Sequence, residues 1–153
     1  MIRSVRLRAP PPASRGWWGL PVYTEEFTIR TKGPMDIVNI THLVEDVVRR
    51  SGVKNGLVHV FAPHATGVLA FIEDEGNLRQ DIRDTLKRLI PPDAPYRHPV
   101  NAHSHIISMF LPPDRTLPLV DGRIVLGTWQ SLVFIEADTH ARTRRIIVQV
   151  VGE

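Results

Sequence analysis

A chain of 153 residues with a 42% hydrophobic share is long enough for one domain with a proper core, and it contains no cysteine. Disulfides, thiolate metal sites and a cysteine nucleophile are excluded, so any metal has to be held by histidine and carboxylate. The net charge of +3 is concentrated at one end: Arg3, Arg6, Arg8 and Arg15 lie in a first twenty residues without an acid, leaving the rest at a net −1. The body therefore lacks the basic stripe that nucleic-acid binding requires.

Residues 1–20 carry Ala9-Pro10-Pro11-Pro12-Ala13 and no periodic pattern, and read as a flexible, basic Arg/Pro-rich tail ahead of a single domain over 21–153. Alternation over 22–31 predicts a first strand, ended by Lys32-Gly33-Pro34. Leu43, Val44, Val47 and Val48 recur at helical spacing between Asn39 or Thr41 as cap and Ser51-Gly52 as stop. Strands follow over 56–62 and 68–72, joined at Pro63-His64-Ala65-Thr66-Gly67. Leu78, Ile82, Leu86 and Leu89 then line one face of a second amphipathic helix, which Pro91-Pro92 stops; Asp74 or Glu75 reads as its cap. The remainder reads as strands over 106–111, 116–120, 123–126, 129–137 and 144–151, with a turn at Asp121-Gly122. Two helices among seven or eight strands predict an α+β domain with a large, mostly antiparallel sheet. Apolar residues on more than one strand face predict a second sheet or a partner copy, hence a homo-oligomer. No apolar run approaches the roughly 20 residues needed to cross a bilayer, so a soluble, cytoplasmic protein without a membrane partner is expected.

Four groups of residues point to chemistry. In the turn at 63–67, the imidazole of His64, the hydroxyl of Thr66 and backbone amides suit phosphate recognition; a hydroxyl that caps its own turn is the plainer reading. Glu73 ends an alternating strand on the face of Leu69 and Phe71, where a carboxylate is a metal ligand, a general base or simply paired. His103 and His105 alternate in Asn101-Ala102-His103-Ser104-His105-Ile106. If that segment is a strand, both rings leave one face and, with His64, leave an open position on a divalent metal such as zinc or magnesium. Paired or surface histidines are the alternative. Gly127-Thr128-Trp129-Gln130 offers a hydroxyl, an indole and an amide: a stacking wall for a heteroaromatic ligand, although composition favours core packing of Trp129. No organic cofactor is expected.

Taken together, Pro63-His64-Ala65-Thr66-Gly67, Glu73-Asp74-Glu75, Tyr96-Arg97-His98, Asn101-Ala102-His103-Ser104-His105, Leu117-Pro118-Leu119-Val120-Asp121-Gly122-Arg123, Gly127-Thr128-Trp129-Gln130 and Val150-Val151-Gly152-Glu153 resemble the YjbQ family of small proteins, from about residue 22 to the end. The resemblance implies an α+β fold that assembles as a trimer, with sites at or near subunit contacts. It also implies an activity of secondary thiamine-phosphate synthase type, which joins a pyrimidine diphosphate to a thiazole phosphate and releases pyrophosphate. On that reading His64, Glu73 and His105 are catalytic, and His64, His103 and His105 hold the metal. Thr66, Asn101, Thr128, Trp129 and Gln130 bind the phosphorylated substrate. The family's H-T-x-A is His64-Ala65-Thr66-Gly67 here, and its N-E-N turn is Ile72-Glu73-Asp74. Two other classes compete: a non-catalytic trimer that binds a phosphorylated metabolite or a metal, and a metal-dependent hydrolase.

Overall fold

The computed structural model describes Ser4–Val5 and residues 20–153. In chain order these form β1 (Ser4–Val5), β2 (Val22–Arg30), β3 (Ile37–Asn39), α1 (Thr41–Ser51), β4 (Gly56–Phe61), β5 (Gly67–Glu73) and α2 (Gly76–Leu89). The second half forms α3 (Ala102–Phe110), β6 (Asp114–Val120), β7 (Arg123–Ile124), β8 (Gln130–Glu136) and β9 (Thr143–Gly152). Apart from β1, which pairs with β2, the expected basic tail lies outside the described residues.

The strands make two antiparallel sheets, one in the order β1-β2-β9-β4-β6-β7 and the other β3-β8-β5. Between them lies the main core, where Phe27, Val58, Val60, Ile146 and Val148 meet Leu69, Leu132 and Phe134, with Val44, Val47 and Val48 of α1 closing it. The other face of the small sheet is also covered: Ile37, Val68, Val133 and Ile135 pack against Ile107 of α3 and Ile82 and Leu86 of α2. This explains why β8 reads as an almost unbroken apolar run; a strand covered on both faces has no solvent side to alternate with. The second sheet expected from the sequence is thus present within one chain.

Local signals fix the ends. Asn39 Oδ1 accepts the Thr41 N–H (3.0 Å) at the start of α1, and Gly52 ends it in the left-handed region (φ 71°). Glu75 caps α2 by accepting from the N–H groups of Asn77 (2.8 Å) and Leu78 (2.9 Å). Gly67 opens β5 where a Cβ would stand 2.2 Å from Phe134 Cζ, so that position admits no side chain unless the ring moves.

One element corrects the sequence reading. Residues 102–110 are a helix, not the start of a strand; its buried residues are Ala102, Ser104, Ile107 and Ser108, and it packs on β5. Ser108 Oγ donates to Gly67 O (3.4 Å) and Ser104 Oγ to Ala137 O, so two small hydroxyls tie the helix to the small sheet.

Candidate functional site

The site grows from charges buried where β8 hands over to β9. Arg144, Ile146, Val148 and Val150 share the inward face of β9, so the period of the strand carries Arg144 into the interior at 4% exposure. There it meets Glu136, the last residue of β8. Arg144 Nε donates to Glu136 Oε2 (2.8 Å), and Nη2 donates to Glu136 Oε1, to Thr66 O (3.0 Å) and to Thr66 Oγ1 (3.0 Å). Thr31 Oγ1 (2.8 Å) and the Asp138 N–H (3.0 Å) complete the coordination of the Glu136 carboxylate. A buried charge is tolerated on these terms: opposite partner present, remaining lone pairs filled.

Two residues further on, Asp138 is 2% exposed. It accepts from Thr139 N–H (2.8 Å), Asn101 Nδ2 (3.3 Å), Thr66 Oγ1 (3.1 Å) and Arg142 Nε (2.7 Å). Burial pushes its carboxyl up, but these donors outweigh burial and hold it at about 2. The Thr66 hydroxyl therefore receives from Arg144 and gives to Asp138, linking both acids. Its role is to join a buried network.

His64 sits beside this network, half-buried. Its Nε2 accepts the backbone N–H of Arg145 (2.8 Å), which places the ring proton on Nδ1. Burial, then the charge of Arg144, lowers its pKa, so the ring is neutral. A neutral Nδ1–H next to two arginines is a preset donor for an oxyanion. It is not a vacant metal ligand, because Nε2 is taken and Nδ1 carries the proton.

The expected three-imidazole centre does not form within the chain. On α3, residues two apart diverge by about 200° around the axis, so His103 and His105 leave on different sides. His103 lines a small apolar pocket with Met35, Leu86 and Ile107, and its Nδ1 is buried without a hydrogen-bond partner among the described residues. His105 lines a separate cleft of about 520 Å³ with Tyr96, Arg97, His98, Ala102 and Ile106. Among the described residues, no three His, Asp or Glu side chains are grouped so as to hold a metal ion. These side chains do not fit a resident metal in a single chain.

Asn101, the cap position of α3, connects that cleft to the buried acids. Its Nδ2 donates to Asp138, and its Oδ1 accepts from His98 Nε2–H (3.2 Å). The His98 and His105 rings meet edge to face at 5.0 Å.

The remaining predicted residues gather elsewhere. Glu73 pairs with Gln130 across the β5–β8 ladder, and with Phe71, Gly127, Thr128 and Trp129 they line an open cleft of about 350 Å³. Trp129 is 74% exposed, which overturns the expectation of core packing. Gln130 Oε1 accepts the Gly127 N–H (3.0 Å), closing the loop that presents the indole. Gly67 pairs with Glu136 at the other end of the same ladder, six residues from Glu73. At ~3.3 Å per residue the two ends stand about 20 Å apart. His64, Thr66 and Asn101 belong to one end, Glu73, Thr128, Trp129 and Gln130 to the other.

Fold and site together define an α+β protein of two packed antiparallel sheets, with an imidazole- and arginine-bearing end and an indole-bearing end. The model of the family described as UPF0047 protein YjbQ-like matches residues 25–153, and the chain belongs to that family. A UPF0047 protein of Methanothermobacter thermautotrophicus is 39% identical over 137 residues, 88% of this chain and 95% of the relative. A crystal structure from Sulfolobus solfataricus P2, of a YbjQ-like protein of unknown function, superposes with a TM-score of 0.85 at 33% identity, covering 88% of this chain and all of that one. A hypothetical protein from Aeropyrum pernix K1 gives 0.80 at 35% identity over 85% of this chain and 98% of its own.

Sequence reasoning missed Glu136, Asp138, Arg142 and Arg144, and gave His98 no role. A usable signal existed for Arg144, since it falls on the apolar parity of β9 with Ile146 and Val148. An ionisable residue on such a face needs a partner.

Proposed function

We propose that this protein is an enzyme acting on phosphorylated small molecules, of thiamine-phosphate synthase type. The observation that carries the reading is the neutral His64, fixed by the Arg145 N–H beside Arg144 and supplying a donor to an incoming phosphate oxygen. In the reaction, a thiazole nitrogen attacks the methylene of a pyrimidine diphosphate; a C–N bond forms, the C–O bond breaks, and pyrophosphate leaves with the electron pair. Preorganised donors aimed at the departing anion lower that barrier. His64, Arg142 and the His98–His105 cleft are suited to the anion, while Trp129, Gln130 and Glu73 are suited to stacking and hydrogen bonding a heterocycle. No step passes through a metal ion.

Two ends about 20 Å apart in one chain do not serve one reacting carbon. A ring of identical copies solves this, because a head-to-tail contact sets the indole end of one chain against the imidazole end of the next. Exposed apolar residues support such contacts: Met109 and Phe110 on α3, and Trp129, are 66–74% exposed. The proposed partner is the chain itself, as a trimer with three equal sites.

The test is pyrophosphate release, with mass detection of the joined product, from a pyrimidine diphosphate and a thiazole phosphate. His64→Ala is expected to lower kcat by about 100-fold, the usual cost of one preorganised oxyanion donor. Trp129→Ala is expected to raise KM about tenfold, in line with a lost aromatic stack. Wild-type turnover in both variants would overturn the proposal.

A further inference from the structure

The joining reaction uses no base: the thiazole nitrogen brings its own lone pair, and pyrophosphate departs as an anion. Yet the imidazole end contains a histidine held as bases are held. Asp138 is a buried carboxylate that only accepts, so Asn101 must turn its Nδ2 toward it (3.3 Å). The other amide atom, Oδ1, is then an acceptor, and His98 must give it the Nε2 proton (3.2 Å). In the neutral ring this leaves Nδ1 with a free lone pair, and Nδ1 has no partner among the described residues. The ring forms one wall of the 520 Å³ cleft, alongside Arg97, whose guanidinium is likewise unpaired among the described residues, and His105.

The backbone repeats the message. Val100 has φ 71°, and the Asn101 N–H donates to Pro99 O (2.9 Å), which makes a γ-turn with a β-branched residue at positive φ. Such a turn is strained, and Val100 recovers nothing by packing, since it is 83% exposed. What the turn achieves is to fold His98 back onto Asn101.

We infer that His98 is a catalytic general base, positioned by Asn101 and Asp138, and that the cleft hydrolyses a phosphate monoester. His98 Nδ1 takes a proton from a water molecule as its oxygen attacks phosphorus. The P–O bond to the alcohol breaks on the side opposite the attacking water, the leaving oxygen departs with the electron pair and takes a proton from solvent where it needs one, and Nδ1 releases its proton to solvent. The products are one alcohol and one inorganic phosphate per water consumed, with no co-reactant. Arg97 and His105 receive the phosphate oxygens, and Tyr96 and Ile106 receive the body of the alcohol. This activity shares the anion-binding end with the joining reaction but not its chemistry.

The test is phosphate release from 4-nitrophenyl phosphate by the purified full chain, run beside the joining assay. Equal amounts of nitrophenolate and phosphate are expected. His98→Gln should lower kcat for hydrolysis by about 100-fold with KM nearly unchanged, the usual contribution of a positioned base. Asn101→Ala should lower kcat in the same direction by less, again without moving KM. In ring ¹⁵N NMR spectra, wild-type His98 should show the proton on Nε2, and Asn101→Ala should lose that preference. No turnover by the wild type, an unchanged kcat in His98→Gln, or a proton on Nδ1 would each overturn the inference. Loss of joining alone would count against the joining reaction only, so the two proposals fail separately.

Discussion

Removing the Arg144 guanidinium leaves Glu136 as a buried carboxylate facing one hydroxyl and one amide. An uncompensated buried charge costs about 3–5 kcal/mol, so Arg144→Ala should shift the denaturant midpoint far down, and a loss below about 1 kcal/mol would contradict the account. The acid side of the network has its own pH signature. Asp138 titrates at about 2 in the fold against 3.8 outside it. The unfolded chain therefore binds more protons in that interval, and the stabilisation is complete above 3.8 and lost as pH falls toward 2. It is worth roughly 2 kcal/mol at neutral pH; Asp138→Asn should flatten the stability profile between pH 4 and 2. His64 runs in the same sense higher up the scale. Its folded pKa lies below 6.5, so protonation opposes the fold, and its contribution falls as pH drops through and below that value. Following the ring by NMR as pH is lowered checks this: a pKa above 6.5 would refute a neutral, Arg145-capped imidazole.

At the level of elements, the strands other than the short β1 and β3 were legible because they alternate or run apolar between Gly and Pro breaks, and the first two helices because their apolar residues recur at three and four. The third helix was not, and the reason is local. The His-Ser-His spacing imitates period two, while the residues that fix the helix are Ala102, Ser104 and Ser108, whose small side chains carry little hydrophobic signal. What makes them a buried face is the sheet beneath, where Ser104 reaches Ala137 O and Ser108 reaches Gly67 O. That misreading created the three-imidazole metal site, since only a strand points His103 and His105 the same way. The indole loop was legible as a motif but not as a surface, because nothing in Gly-Thr-Trp-Gln distinguishes a displayed ring from a buried one. The contact between β5 and β8 offers a direct check on packing. Gly67→Ala forces a methyl onto the Phe134 ring, and overpacking of that kind costs about 1–3 kcal/mol. A variant as stable as the parent would show that the ring moves aside freely.

For the whole molecule, the β5–β8 ladder acts as a spacer that keeps its two chemical ends apart. Both ends were visible in the sequence as separate motifs; their separation was not, because strand length becomes a distance only once the register is known. Described residues contain no helix long and apolar enough to cross a membrane, and the exposed apolar side chains include Met109 and Phe110 on α3 and Trp129 in the indole loop. The proposed closed ring of copies would cover such residues and complete three sites at once. The measurement that tests this most directly is complementation between two single variants, His64→Ala and Trp129→Ala, unfolded together and refolded as a mixture. At substrate well below KM, His64→Ala alone should keep about a hundredth of wild-type activity and Trp129→Ala alone about a tenth. In randomly assembled rings, a site keeps both intact ends about one time in four, so the mixture should regain about a quarter of wild-type activity. A mixture no more active than its components, or a protein that stays monomeric in solution, would contradict a site shared between chains.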